Sequence, residues 1–160
     1  MTPPAPVGRI AFLLGFAGLL PPVLAVLVMV EVRVGAGHLS FEVASAAQFA
    51  TVFYAGVILS FLGGMWWGFA MRSEAGQGAI VAVAVLPSLI AFACMGWAAL
   101  GLPLALKAPA MVLGVSILST LPFDRHLVGT GYAPANWMRL RVPLSVGLGG
   151  LTIAAGLLGG

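Results

Sequence analysis

The sequence predicts an all-α membrane protein, a single domain over residues 1–160 that is built as a bundle of five transmembrane helices. Of its 160 residues 61% are hydrophobic and 7% are charged, whereas a soluble domain carries about 25% charged residues. The 22 glycines and 11 prolines fall largely within long apolar runs, where transmembrane helices tolerate them. A soluble globule of this composition would expose large apolar patches, so lipid is the expected solvent.

The apolar runs give the expected spans. These lie at about 10–30, 49–71, 79–100, 105–123 and 142–158. The first run follows Arg9 and has 21 residues without a charge, enough to cross a hydrocarbon core of roughly 30 Å at about 1.5 Å per residue. A cleavable signal peptide is the alternative for this run, but the run continues past Pro21 and Pro22, which should kink a spanning helix.

The connections contain capping and turn signals. Residues 39–47 are expected to form a short interfacial helix with Ser40 as its N-cap, and residues 72–78 a tight polar turn. Pro87 should bend the third span, with Ser88 helping to satisfy the freed backbone. The fourth span is the weakest by length, and Lys107 at its start should snorkel to the interface.

The positive-inside rule sets the orientation. Five of the seven Lys and Arg residues fall on one side of the predicted membrane: Arg9, Arg72, Arg125, Arg139 and Arg141. Arg33 and Lys107 fall on the other. This asymmetry predicts a cytoplasmic N-terminus and an external C-terminus.

A row of small residues runs along the second span at a spacing of four. It consists of Gly56, Ser60, Gly64 and Gly68, with Gly63 beside it. Such a row lets another helix approach closely. The row is expected to pack within the bundle, with the glycine-rich fifth span as its partner; a homodimer face is the alternative.

Residues typical of catalysis or metal binding are sparse. His38 and His126 lie on opposite sides of the predicted membrane, so one haem or metal cannot take both. Cys94 is the sole cysteine and is expected to be a buried thiol. We find no nucleophile motif and no ionisable group of the kind that couples ions or protons in the middle of a predicted span, and therefore expect no cofactor, no catalytic residue and no enzyme activity. The net charge of +3 forms no basic patch for nucleic acid.

The best candidate binding residues converge on the predicted cytoplasmic face. They are Arg72, Arg125, Trp137, Arg139 and Arg141. Guanidinium groups bind phosphate in a fork geometry, so these residues could hold an anionic lipid headgroup or another anionic ligand. Ordinary interfacial anchoring, including an internal pair between Asp124 and an arginine, is the alternative.

Four stretches resemble one family. They are Tyr54–Gly68 (YAGVILSFLGGMWWG), the early GFAGLLPPV, Leu86-Pro87-Ser88, and Asp124 with the later WMRLRVPLS. Together they resemble the domain of unknown function 3429, or transmembrane protein 69-like, integral membrane family. Met138 and Ser145 depart mildly from the family pattern, where an aromatic residue and Thr are common. The resemblance implies a multi-pass protein of the bacterial inner membrane, or a mitochondrial one in eukaryotes, and supplies no catalytic residue.

Two functions are expected from these observations. The first is a non-enzymatic packing, assembly or accessory role beside a membrane protein partner or a second copy. The alternative is a small carrier or binding protein for a lipid, a quinone or an anionic small molecule, with its site between the second and fifth spans. Whether Trp66 and Trp67 line such a site is left open by the sequence.

Overall fold

A computed structural model describes residues 5–35, 37, 39–72, 76–102 and 104–159, and these residues form helices joined by short connections. The helices are α1 (Arg9–Ala17), α2 (Leu20–Val34), α3 (Phe41–Ala70), α4 (Gln77–Ala99), α5 (Lys107–Gly129) and α6 (Trp137–Leu158). The predicted all-α class is confirmed. Residues 73–75 of the predicted 72–78 turn lie outside the described residues, and α4 already begins at Gln77.

The first apolar run is broken into two helices. The chain leaves the helical path at Gly18 and Leu19, and Pro21 and Pro22 then stand in the first turn of α2. A proline fits there because the first backbone N–H groups of a helix have no partner within it. The predicted kink is therefore present, but it lies just before the proline pair.

The second span is longer than predicted. Ser40 caps α3, because its Oγ accepts a hydrogen bond from the backbone N–H of Val43 at 3.4 Å. The expected separate interfacial helix is wrong, since α3 runs unbroken for 30 residues. No glycine or proline interrupts it near residue 48, and the buried side chain of Gln48 donates to the carbonyl of Ala155 at 3.1 Å.

The predicted ends of the last two spans are also corrected. Helix α5 continues past residue 123 to Gly129, and α6 begins at Trp137 rather than at residue 142. Asp124 and Arg141, which the sequence placed outside the spans, are thus buried within helices. Both charged side chains can be buried because they form an ion pair with each other.

Within the described part of the chain, four helical segments are long and apolar enough to cross a membrane, judged by length and composition. These are Arg9–Val34, Phe41–Ala70, Gln77–Ala99 and Trp137–Leu158. The predicted count of five is therefore one too many by this measure. Helix α5 has the length but is more polar. It packs against α3, α4 and α6, so Thr120 and Asp124 are satisfied by protein rather than exposed to lipid.

Only part of the small-residue row packs within the bundle. Gly56 and Gly63 are buried against α4, where Gly63 faces the carbonyl of Ala84, and Ser60 exchanges a hydrogen bond of 2.9 Å with Ser88. The prediction that this row packs against the fifth span is therefore wrong, because its partner is α4. The prediction that Ser88 bonds to the backbone freed by Pro87 is also wrong, because the Ser88 hydroxyl pairs with Ser60. Positions four apart drift around a helix by about 40° per step. The row therefore rotates away from α4, and Gly64 and Gly68 are exposed.

The glycines of α6 have a different partner. Gly114 of α5 and Gly149 of α6 face each other so closely that a Cβ on either would lie within 3 Å of the other's carbonyl oxygen. The bundle thus consists of two tight helix pairs, α3 with α4 and α5 with α6. Helix α2 packs against α3 and α6, and α1 only weakly against α6.

The buried core forms two clusters. One lies in the middle of the bundle and is centred on Val52, Leu59, Leu113 and Ile117. The other lies where α3 and α5 end and α4 and α6 begin, and it contains Trp66, Leu127, Trp137 and Leu140. The second cluster surrounds the polar site.

Candidate functional site

A buried carboxylate lies at the centre of the second cluster. Asp124 of α5 is fully buried. Its Oδ1 accepts the indole N–H of Trp66 at 2.9 Å and that of Trp137 at 3.0 Å. Its Oδ2 accepts from Nε of Arg141 at 2.8 Å. One carboxylate therefore ties α3, α5 and α6 together through three hydrogen bonds.

Arg141 completes this network. Its guanidinium is also buried, and its Nη2 donates to Oγ1 of Thr120 at 2.9 Å. The Thr120 hydroxyl in turn donates to the carbonyl of Ile117 at 2.7 Å. Because the two charges are in contact, the buried set carries no net charge, and a charge pair of this kind must be hydrogen-bonded to persist away from water.

Helical spacing explains how the network assembles. Thr120 and Asp124 are four residues apart on α5, and Trp137 and Arg141 are four apart on α6. Residues at this spacing lie on one helix face, so the tight α5–α6 pair brings the two faces together. Thr120 was not among the residues predicted from the sequence, although two pairs of polar residues at a spacing of four, on either side of the α5–α6 loop, were a usable signal.

The five residues predicted to bind an anion do not form one surface. Trp137 and Arg141 are buried on Asp124. Arg72, Arg125 and Arg139 are exposed, and Arg72 donates to the carbonyl of Tyr132 at 3.4 Å. Anionic lipid at these three exposed arginines stays a prediction, but Arg141 is already paired inside the protein.

The two adjacent tryptophans of α3 have different surroundings. Trp66 is 3% exposed and packs against the ring of Phe123, whereas Trp67 is 44% exposed. Trp66 therefore belongs to the Asp124 network. Neither tryptophan lines the groove described next.

An apolar groove of about 490 Å³ lies beside the network. Its walls come from α1, α3 and α6 and the α1–α2 connection, with Ile117 of α5. They are formed mainly by aliphatic and aromatic side chains, with the polar exceptions Tyr54, Trp137, Arg141 and Ser145. Its volume falls in the range of roughly 300–1,000 Å³ that is typical of small-molecule pockets. The groove lies between the α3 and α6 spans, as the sequence analysis expected for a ligand site.

One polar atom of the groove wall has no partner. Ser145 of α6 is 1% exposed, and its Oγ makes no hydrogen bond within the described part of the chain. The Tyr54 hydroxyl, by contrast, donates to the carbonyl of Gly18 at 2.6 Å. A buried hydroxyl without a hydrogen-bond partner lowers the stability of the folded protein. A ligand in the groove that forms a hydrogen bond with Ser145 would remove this penalty. The sequence analysis named it only as a departure from the family pattern.

Helix α1 covers the groove as a strap that is held at both ends. The backbone N–H and C=O of Val7, just before α1, bond to Oδ1 and Nδ2 of Asn136 at 2.9 and 3.1 Å. The hydroxyl of Tyr54 holds the other end at Gly18. Between these two points α1 buries none of its residues. We call Arg9–Ala17 with these two attachments the α1 strap.

His126 does not line the groove. His126 is exposed at the end of α5, near Phe123, and His38 lies outside the described residues. Among the described residues, no three His, Cys, Asp or Glu side chains are grouped as a metal ion would require.

Comparison with known proteins identifies the family. No curated protein and no solved structure gives a match to the chain. The family model described as "Protein of unknown function (DUF3429)" matches residues 7–158. This range covers every helix and both attachments of the α1 strap, and it agrees with the resemblance seen in the motifs. The chain therefore belongs to the DUF3429 family.

Proposed function

We propose that the protein is a non-enzymatic protein of the bacterial inner membrane that binds the hydrocarbon chain of an amphipathic molecule in the groove beneath the α1 strap. The observation that carries the proposal is the unpartnered, buried hydroxyl of Ser145 in the wall of this mainly apolar groove. Apolar walls with a few placed polar groups are the usual composition of a small-molecule site. The inner-membrane location rests on the motif resemblance.

Two further features support this proposal. The strap has no fully buried residue and packs on the second core cluster through the half-buried ring of Phe12, so its displacement would break few contacts with the core. The Asp124 network fixes Trp137 and Arg141 in the groove wall by hydrogen bonds of 2.8–3.0 Å. A rigid polar wall opposite a loosely packed strap is an arrangement that admits a ligand without disrupting the core.

Photolabelling tests whether the groove accepts a chain. The protein is reconstituted in nanodiscs with a long-chain alkane that carries a diazirine, and labelled peptides are mapped with and without excess unlabelled alkane. Competed label is expected on groove residues of α3 and α6. Ala11→Trp should reduce it, because Ala11 lines the groove. Ala17→Trp is the matched control, an exposed position on the same helix that does not line it.

The proposal fails if label on the groove is not competed, or if the two variants label alike. In that case the groove is merely part of the lipid-facing surface.

A separate observation favours an assembly role as the second candidate. Gly64 and Gly68 lie one turn apart on an exposed face of α3, and a Cβ at either would meet nothing within 4 Å. Small residues at this spacing allow close approach of another membrane helix. Crosslinking between cysteines introduced at Gly68 would detect a second copy, and recovery of a fixed larger complex in mild detergent would detect a different partner.

A further inference from the structure

We infer that the ligand of the groove is a neutral amphiphile whose carbonyl oxygen accepts hydrogen bonds from Ser145 and Arg141. This inference rests on the proposed function and names the chemistry of the headgroup. It excludes the anionic ligand that the sequence analysis expected for Arg141.

Most hydrogen-bond donors of the groove wall already have an acceptor within the protein. The Tyr54 hydroxyl donates to Gly18, and the Trp137 indole donates to Asp124. Arg141 uses its Nε on Asp124 and one hydrogen of Nη2 on Thr120, and neither bond involves Nη1. The donors that remain in the groove wall are therefore the unpartnered hydroxyl of Ser145 and the guanidinium hydrogens of Arg141 that these two bonds do not use.

The two residues that carry these donors both belong to α6. Arg141 and Ser145 are four residues apart on α6, so their side chains lie on one face, one turn from each other. Both belong to the wall of the same groove. An oxygen with two lone pairs, such as a carbonyl, can accept from both.

Charge decides between a neutral and an anionic headgroup. Arg141 is the charged residue in the groove wall, and its charge is already matched by Asp124 at 2.8 Å. An added carboxylate or phosphate would leave one negative charge unmatched beside Asp124, in a place poor in water, which is strongly unfavourable. A carbonyl adds hydrogen bonds without adding charge.

Two kinds of molecule share this chemistry: fatty esters and quinones with an alkyl chain. Each has a neutral carbonyl attached to a hydrocarbon chain that would fill the apolar part of the groove.

A matched series of probes tests the inference. Binding to the detergent-solubilised full chain is measured by native mass spectrometry for methyl laurate, for laurate at alkaline pH, for dodecane and for a decyl-substituted benzoquinone. Methyl laurate is expected to bind about tenfold or more tightly than dodecane, because dodecane cannot accept the hydrogen bonds. It should also bind about tenfold or more tightly than ionised laurate, because laurate adds an unmatched negative charge. Comparison of the affinity for the quinone with the affinity for the ester shows which of the two kinds of molecule the groove prefers.

Variants separate recognition from folding. Ser145→Ala should weaken methyl laurate binding about tenfold while leaving dodecane unchanged. Its melting temperature without probe should be equal or higher, because the removed hydroxyl has no partner. Ser119→Ala, an exposed serine on α5, is the control and should behave as wild type.

The outcomes are distinguishable. Tighter binding of laurate than of its methyl ester overturns the neutral-headgroup inference and leaves the proposed function standing. Equal binding of ester and dodecane, or an unchanged Ser145→Ala variant, also overturns it. Failure of every probe, dodecane included, overturns the proposed function itself.

Discussion

Trp66 of α3 donates its indole N–H to Oδ1 of Asp124 in α5 at 2.9 Å, across 58 positions of sequence. The same oxygen accepts from Trp137. This contact links the most family-specific stretch of the chain to the carboxylate that orients the groove wall. The helix that packs against α4 is thereby coupled to the helix that carries Ser145.

Substitution of Trp66 and Trp67 one at a time should show which indole contributes to the free energy of unfolding. Trp66→Phe removes a hydrogen bond to a buried carboxylate and should lower the free energy of unfolding by about 1.5–3 kcal/mol. Trp67→Phe is the matched control: Trp67 is 44% exposed and is not among the donors to Asp124, so it should change stability little. Reversible unfolding in mixed micelles gives both values, and equal losses would contradict the assignment.

The ion pair should behave as one unit. Asp124→Ala and Arg141→Ala each leave a buried charge without its partner and should each cost about 3–5 kcal/mol. The double variant should cost clearly less than the sum of the two, because no unmatched charge remains. Arg139→Ala, an exposed arginine two residues earlier, is the control. Additive losses in the double-variant cycle would show that the pair contributes no coupling.

Much of the fold follows from composition and from local signals. The helical class, the four most apolar spans and the Ser40 cap depend on hydrophobic run length and on N-cap chemistry, both of which are local. The ends of α5 and α6 could not be predicted in the same way. A charged residue ends an apolar run unless a partner neutralises it, and the partner of Asp124 lies on the next helix.

Only some residues of the site could be recognised from the sequence, because the others depend on contacts between helices. Trp137 and Arg141 stood out by residue type, and the alternative of an internal pair between Asp124 and an arginine is confirmed by the 2.8 Å contact with Arg141. Their burial depends on the close approach of Gly114 and Gly149, which is a tertiary property. Ser145 had no signal of its own, since a serine in a membrane helix commonly bonds its own backbone.

Two neighbouring glycines test the packing of α3 on α4. Gly63→Ala would push a methyl group into the carbonyl of Ala84, a backbone atom that cannot easily move, and should cost about 1–3 kcal/mol. Gly64→Ala meets nothing within 4 Å and should leave stability unchanged or raise it by up to about 1 kcal/mol, since alanine is the better helix former. Thermal unfolding of the two variants provides the comparison. A neutral Gly63→Ala would mean that the α3–α4 contact is looser than described.

Loss of either attachment should loosen the α1 strap without unfolding the bundle. Asn136→Ala removes two hydrogen bonds to Val7, and Tyr54→Phe removes one to Gly18. Because α1 buries none of its residues, these bonds provide much of what holds it. Backbone amides of residues 9–17 should therefore exchange with deuterium about tenfold faster in each variant, which corresponds to about 1.4 kcal/mol of lost protection. Amides of α3 and α5 serve as the internal control and should keep their wild-type rates. Faster exchange throughout the protein would show that the strap is part of the cooperative core. Unchanged exchange in α1 would show that its apolar contacts with α6 hold it alone, and the groove would then need a different route of entry.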